Sequence, residues 1–383
     1  MKKLLTLTLP LILCIAGVTY LFLPPTVPAS PFSHSATLQY GDTTKPNYVI
    51  LGFLPYWNLK KISPTALASV TSIGYFSLRL DAQGNLVTHV NRREEEPGYT
   101  NFKHLVAGSV VIPRPLTLTI AMTDNDALAS LLASAVARNA AIQTIIDNAK
   151  SARAIGVNID FEPSGSISQE MRDNFTVFMR ELWVVSKRQS NPLVLSVDIY
   201  SISATRARLW DIAGLAPSVD YLVIMAYDYF QPSSSQSGPV APLRGAPALF
   251  NEDVTKNLAE TLRYIEPGKV LLGLPFYGYS WPTEDGAKYG SPTGTGSLAT
   301  LSFIEGSIAD HSLSEQWDRD SLTPYAVATV SGHTRQYYFE NTTSLGLKLD
   351  LIKAAHLGGI AIWALGYEGD NSPLWSTISN SLQ

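Results

Sequence analysis

The sequence predicts an α/β chain folded as a (β/α)8 TIM barrel, with a small α+β insertion between the seventh strand and the eighth helix. Three observations carry this prediction. Eight short apolar runs recur along the chain, separated by stretches of helical periodicity, as in a series of βα units. Most of those runs are apolar throughout rather than alternating, which suits parallel strands covered on both faces. The 383 residues suffice for one barrel of this class, which often runs longer than a single average domain.

The eight candidate strands are residues 49–54, 69–78, 116–121, 156–161, 193–197, 221–226, 270–274 and 359–364. Between them the apolar period is near 3.6. Ile142, Ile145, Ile146 and Ala149 share a face before the fourth strand, and Met171, Phe175, Phe178, Met179, Leu182 and Val185 do so after it. Pro192 closes that helical region. Near the C-terminus a helix through Leu345, Leu349, Ile352 and Ala355 stops before Gly358 and Gly359, residues favoured after a helix end. The rhythm breaks over residues 277–341, where Gly, Thr, Ser and aromatics dominate. A strand pair, 326–330 and 336–339, turns there around Ser331-Gly332-His333, so this stretch reads as the inserted lobe. The charge run Arg92–Glu96 reads as a solvated loop face.

Composition narrows the function. A formal charge of −4 argues against a nucleic-acid partner, which calls for a basic face. With 7 Trp, 18 Tyr and 13 Phe the chain has ample apolar surface to fold. Cys14 is the single cysteine, which excludes an intrachain disulfide and a cysteine-based zinc site. His34, His89, His104, His311, His333 and His356 show no ligand spacing, so neither metal nor other cofactor is expected.

The first residues predict export. Lys2 and Lys3 precede an apolar run, residues 4–23, followed by Pro24 and Pro25. Residues 1–25 are a signal peptide or an N-terminal membrane anchor: the run is long enough to span a bilayer, and Val27-Pro28-Ala29 offers a cleavage site. Residues 26–47, rich in Pro, Ser and Thr, read as a flexible stalk, and 48–383 as the catalytic barrel. The protein is thus expected to be secreted or held on the outer face of the cytoplasmic membrane, which it contacts if the segment stays uncleaved.

The chemistry concentrates in the fourth strand, Gly156-Val157-Asn158-Ile159-Asp160-Phe161-Glu162-Pro163. Side chains alternate across a strand, so Asn158, Asp160 and Glu162 share one face. Polar groups at every second position of a buried strand are costly unless paired or used. In a barrel of this class the active site lies where the strands end. A negative Asp160 disfavours a second charge, so Glu162 is expected to keep its proton, as an acid serving a glycosidic oxygen requires.

These residues resemble the fourth-strand signature of glycoside hydrolase family 18, the chitinase family, Asp-x-x-Asp-x-Asp-x-Glu. Four further stretches agree in order: Met225-Ala226-Tyr227-Asp228 after strand six, Gly238-Pro239-Val240-Ala241-Pro242-Leu243, Gly273-Leu274-Pro275-Phe276-Tyr277-Gly278 at strand seven, and Trp363 at strand eight. The resemblance implies a retaining, substrate-assisted glycosidase acting on an N-acetylated glycan, of chitin or peptidoglycan type. It implies Glu162 as acid and then base, Asp160 as the group orienting the substrate's acetamido function, and Tyr227 as donor to the same acetamido oxygen. Asp228, Met225, Tyr277, Trp57 and Asn158 complete the implied substrate-binding set, with Trp363 stacking on a sugar ring. Ile155 and Asn158 replace the family's first two aspartates, and Asn158 is expected to donate to Asp160. The glycine-rich strand-three motif of many chitinases is replaced by Thr119-Ile120-Ala121-Met122-Thr123. The Asn-x-Asp-x-Glu form looks like that of bacterial spore-cortex and peptidoglycan glucosaminidases. A lectin-like member of the family that binds sugar without cleaving it is the alternative.

Overall fold

The computed structural model describes residues 48–383 apart from 246–249, 331 and 371. The expected leader and stalk, residues 1–47, lie outside the described residues, as does Ser331 of the expected turn. Eight strands close into a barrel: β1 (Val49–Pro55), β2 (Ser72–Arg79), β3 (Leu116–Met122), β4 (Gly156–Phe161), β5 (Val194–Tyr200), β6 (Tyr221–Met225), β7 (Val270–Pro275) and β8 (Gly359–Trp363). Each pairs in parallel with its sequence neighbours, and β8 closes on β1 through the register Val49↔Gly359 to Gly52↔Ile362. Gly359 is required at that seam. Its φ is +150°, and a Cβ would fall 1.9 Å from the Val49 carbonyl oxygen.

Two barrel-strand bounds differ from expectation by three residues and the others by at most one. β2 begins at Ser72 because Pro64–Ser69 is a helix, with Pro64 in its first turn and the Ser63 hydroxyl accepting from Ala66 N. β5 runs three residues beyond Val197, to Tyr200. The charge run is also less solvated than expected. His89–Asn91 and Glu94–Glu95 form a small antiparallel pair. Glu96 is buried and caps the helix Pro97–Val106 by accepting from Tyr99 N at 2.6 Å.

The outward face of β4 fixes its orientation. Val157, Ile159 and Phe161 are wholly buried under the helices Ala135–Ser151 and Gln169–Lys187, with the Phe161 ring 5.7 Å from that of Phe178. Burying each such side chain contributes about 1.5–3 kcal/mol. A register slip would turn this face inward and the polar one outward, so packing commits Asn158 and Asp160 to the barrel interior.

The inserted lobe is a five-stranded antiparallel sheet in the order Ser297–Thr300, Tyr277–Pro282, His333–Tyr338, Thr323–Val330, Ser314–Asp318, with the helix Leu301–Ala309. The chain returns to the barrel at Glu340, whose buried carboxylate pairs with the buried Lys348 ammonium at 2.8 Å. The returning helix, Thr342–Ala354, opens with a capping box between Asn341 and Ser344. Among the described residues no single helix is long and apolar enough to cross a membrane.

Candidate active site

The C-terminal ends of the strands open into a cavity of about 670 Å³. Asp160 and Glu162 line it from β4, with Asp198 and Tyr200 from β5, Tyr227 and Asp228 after β6, and Trp363 from the end of β8. Neighbouring strands thus converge on one carboxylate pair.

Asn158 is wholly buried below the pair, but it does not serve Asp160 as expected. Its register partner on β5 is Ser196, whose hydroxyl donates to Asn158 Oδ1 at 2.6 Å. The amide nitrogen then faces the next inward residue of β5 and donates to Asp198 Oδ2 at 2.7 Å. Asn158 therefore steadies Asp198. Asp160 Oδ1 and Asp198 Oδ1 are buried without a hydrogen-bond partner, which leaves acceptors free in the site.

Burial dominates the electrostatics. It pushes Asp160 well above the usual aspartate range, helped by the charges of Glu162 and Asp198 and by a hydrogen bond to Glu162. Glu162 is raised as well, by burial first; hydrogen bonds from Tyr200 and Asp160 oppose that rise, and the Asp228 charge adds to it. Asp198 is raised by burial, with the Asn158 donation working against it. The pair thus retains a proton, although the expectation placed it on Glu162 beside a negative Asp160. The larger rise falls on Asp160 because it is deeper, and Glu162 accepts across the hydrogen bond they share.

The remaining sequence-predicted residues divide. Tyr227 lines the cavity, and burial together with four surrounding carboxylates keeps its phenol protonated. Met225 and Trp363 form wall, and Trp363 is edge-on to Phe76 at 4.6 Å. Asp228, at φ +61°, accepts from the Tyr277 hydroxyl and, at 2.9 Å, from the Tyr279 hydroxyl. Tyr277 lines the cavity as well, with its hydroxyl donating to Asp228. Trp57 is not brought into the cavity wall. It is 46% exposed and reaches the site through Phe76, edge-on at 6.3 Å. Ile155, at the family's first aspartate position, is 47% exposed at the opposite end of β4.

Asp198, Tyr200, Tyr279, Arg206 and Arg208 line the cavity without having been singled out in the sequence. A signal existed for the first two. Ser196, Asp198 and Tyr200 alternate with Leu195, Val197 and Ile199, the pattern that exposed Asn158, Asp160 and Glu162 in β4. Among the described residues no group of three or more His, Cys, Asp or Glu side chains is placed to hold a metal ion.

The Asp160–Glu162 pair stands at the C-terminal mouth of a parallel eight-stranded barrel, where the active sites of (β/α)8 enzymes lie. The family model for glycosyl hydrolases family 18 matches residues 49–368, and the chain belongs to that family. It is 24% identical over 301 residues to the putative sporulation-specific glycosylase YdhD of Bacillus subtilis, covering 77% of this chain and 66% of that one. It is 25% identical over 323 residues to the cortical fragment-lytic enzyme of the same organism, covering 81% and 68%. Mouse di-N-acetylchitobiase is 25% identical over 59% of this chain and 65% of its own length. The chain thus spans about two thirds of the length of these relatives. Among solved structures, the fold is shared with a Nicotiana class V chitinase (TM-score 0.75, 19% identity, 88% of this chain and 99% of that one). It is also shared with the Bacillus megaterium spore cortex-lytic enzyme SleL (TM-score 0.69, 18% identity, 89% and 76%).

Proposed function

We propose that the chain is an exported glycoside hydrolase that cleaves β-1,4 linkages of N-acetylglucosamine-containing glycans by a retaining, substrate-assisted mechanism. The observation that carries this reading is the Asp160–Glu162 pair at the cavity wall, a buried carboxyl hydrogen-bonded to a half-buried one, both with raised affinities for protons. Such a pair supplies an acid at neutral pH and a carboxylate one step later.

In the first step the proton the pair shares passes from Asp160 across their hydrogen bond to Glu162, which gives it to the glycosidic oxygen as the bond to the anomeric carbon breaks, leaving Asp160 ionised. The substrate's own acetamido oxygen attacks that carbon from the other face and forms an oxazolinium-like intermediate. Asp160 orients the acetamido group and offsets its developing charge, and the Tyr227 hydroxyl donates to the acetamido oxygen. Glu162, now ionised and held by the Tyr200 hydroxyl, takes a proton from water, which opens the intermediate with net retention. Trp363 offers its ring face to the sugar. Export rests on Lys2, Lys3 and the apolar run that follows them.

The test compares wild type with Glu162→Gln on N-acetylchitooligosaccharides and on peptidoglycan. Loss of a general acid costs about 10²-fold or more in rate, so wild type should cleave and the variant should not, while both bind. Binding by both without cleavage by either would instead make the chain a lectin.

A further inference from the structure

The cavity has a cationic wall that the hydrolytic steps above leave unused. Arg208, in the segment after β5, is half-buried, and its guanidinium lies 4.9 Å from the centre of the Tyr200 ring. Nη1 reaches the Gly165 carbonyl oxygen at 3.4 Å, and Nε is buried without a hydrogen-bond partner. No carboxylate pairs with it among the described residues. Its neighbour Arg206, 62% exposed at the side chain, is loosely paired with Glu252 at 3.7 Å. Glu252 is also 3.7 Å from Lys256. Every other charged side chain lining the cavity is a carboxylate: Asp160, Glu162, Asp198, Asp228 and Glu252. Among the described residues, Arg206 and Arg208 are thus the cationic side chains lining the cavity, and an anion is drawn to their wall.

The wall is also in the right place. Trp363 ends β8 and Glu162 follows β4, on opposite sides of the barrel. Arg208 bridges the segment after β4, at Gly165, and the end of β5, at Tyr200, so it stands on Glu162's side. Glu162 protonates the oxygen joining two sugars. With one ring on Trp363, the next ring passes Glu162 toward the arginines. A guanidinium fork matches a carboxylate in two parallel hydrogen bonds, and that of Arg208, a cavity-lining residue, is taken by no carboxylate among the described residues.

We propose that Arg208, assisted by Arg206, binds a carboxylate on the sugar that follows the scissile bond. The substrate is then an acidic N-acetylated glycan in which alternate sugars carry a carboxylate-bearing ether, the chemistry of muramyl residues, rather than a neutral chitin-type polymer. This inference rests on the hydrolase reading above, and its test separates the two.

The purified full chain is assayed on peptide-free peptidoglycan glycan strands, on the same strands with their carboxylates amidated by carbodiimide and ammonia, and on N-acetylchitohexaose. Wild type should show a kcat/KM at least about tenfold higher on the acidic strands than on the amidated ones, the scale of one charge-assisted contact. Arg208→Gln should bring that ratio close to one, and Arg208→Lys should keep part of it, having charge without the fork. If Arg208 merely props Tyr200, Arg208→Gln lowers both rates together and preserves the ratio, which overturns the inference. Wild-type cleavage of chitohexaose with no preference between the two strands overturns the carboxylate reading alone. Cleavage of none of the three overturns the hydrolase reading and this one with it.

Discussion

Glu368 ties the stability of this barrel to pH. It lies in the segment after β8, is 1% exposed, and accepts from Gly366 N at 2.7 Å. Burial raises its pKa from 4.5 to about 7, against opposing hydrogen bonds from backbone amides. A raised folded-state pKa means that the protonated form is the one the fold favours. The stability that goes with it is complete below pH 4.5 and is lost as pH rises through about 7. The shift corresponds to a loss on the order of 3 kcal/mol well above pH 7. Glu368→Gln keeps the acceptor for Gly366 N and removes the charge. In urea unfolding with unchanged m, the variant should match wild type at pH 4.5 and exceed it by about 2–3 kcal/mol at pH 8.5. An equal difference between the two proteins at both pH values would refute the reasoning.

Other consequences can be measured in the same way. Lys348→Met leaves the buried Glu340 carboxylate with only Ser344 and should cost about 3–5 kcal/mol in urea unfolding, whereas Lys348→Met combined with Glu340→Leu should recover most of that loss. Phe178→Ala empties the space against Phe161 and Phe175 and should cost about 3–5 kcal/mol by the same assay, with the activity of the folded fraction retained. Tyr200→Phe removes a donor that holds Glu162 down, so the alkaline limb of the kcat/KM profile should move to higher pH; a limb that stays or moves down counts against that role.

The barrel was readable because buried parallel strands are apolar on both faces, and the catalytic strand because its inward positions break that rule at alternate residues. The same rule applied to β5 reaches Tyr200, but the polar residues Asp198 and Tyr200 look like a loop when the strand is ended at its last continuous apolar run. The partner of Asn158 could not be read at all. It depends on the cross-strand register that sets Ser196 beside it and Asp198 one step further on. Tyr277 and Trp57 show the same limit for burial: an aromatic after a strand reads alike whether its hydroxyl is spent on Asp228 or its ring stands in solvent. Arg208 carries no local pattern, since its meaning comes from its place at the cavity wall among carboxylates, none of which among the described residues pairs with it.

The most direct test of the account is the configuration of the newly formed reducing end, followed by proton NMR from the first turnovers on whichever N-acetylated glycan wild type cleaves. Attack by the substrate's own acetamido group, with Glu162 then activating water on the opposite face, predicts that the β-anomer appears first and the α-anomer only as mutarotation proceeds. An α-anomer formed first would mean a single inversion by water, and would contradict the assignment of Asp160 and Glu162.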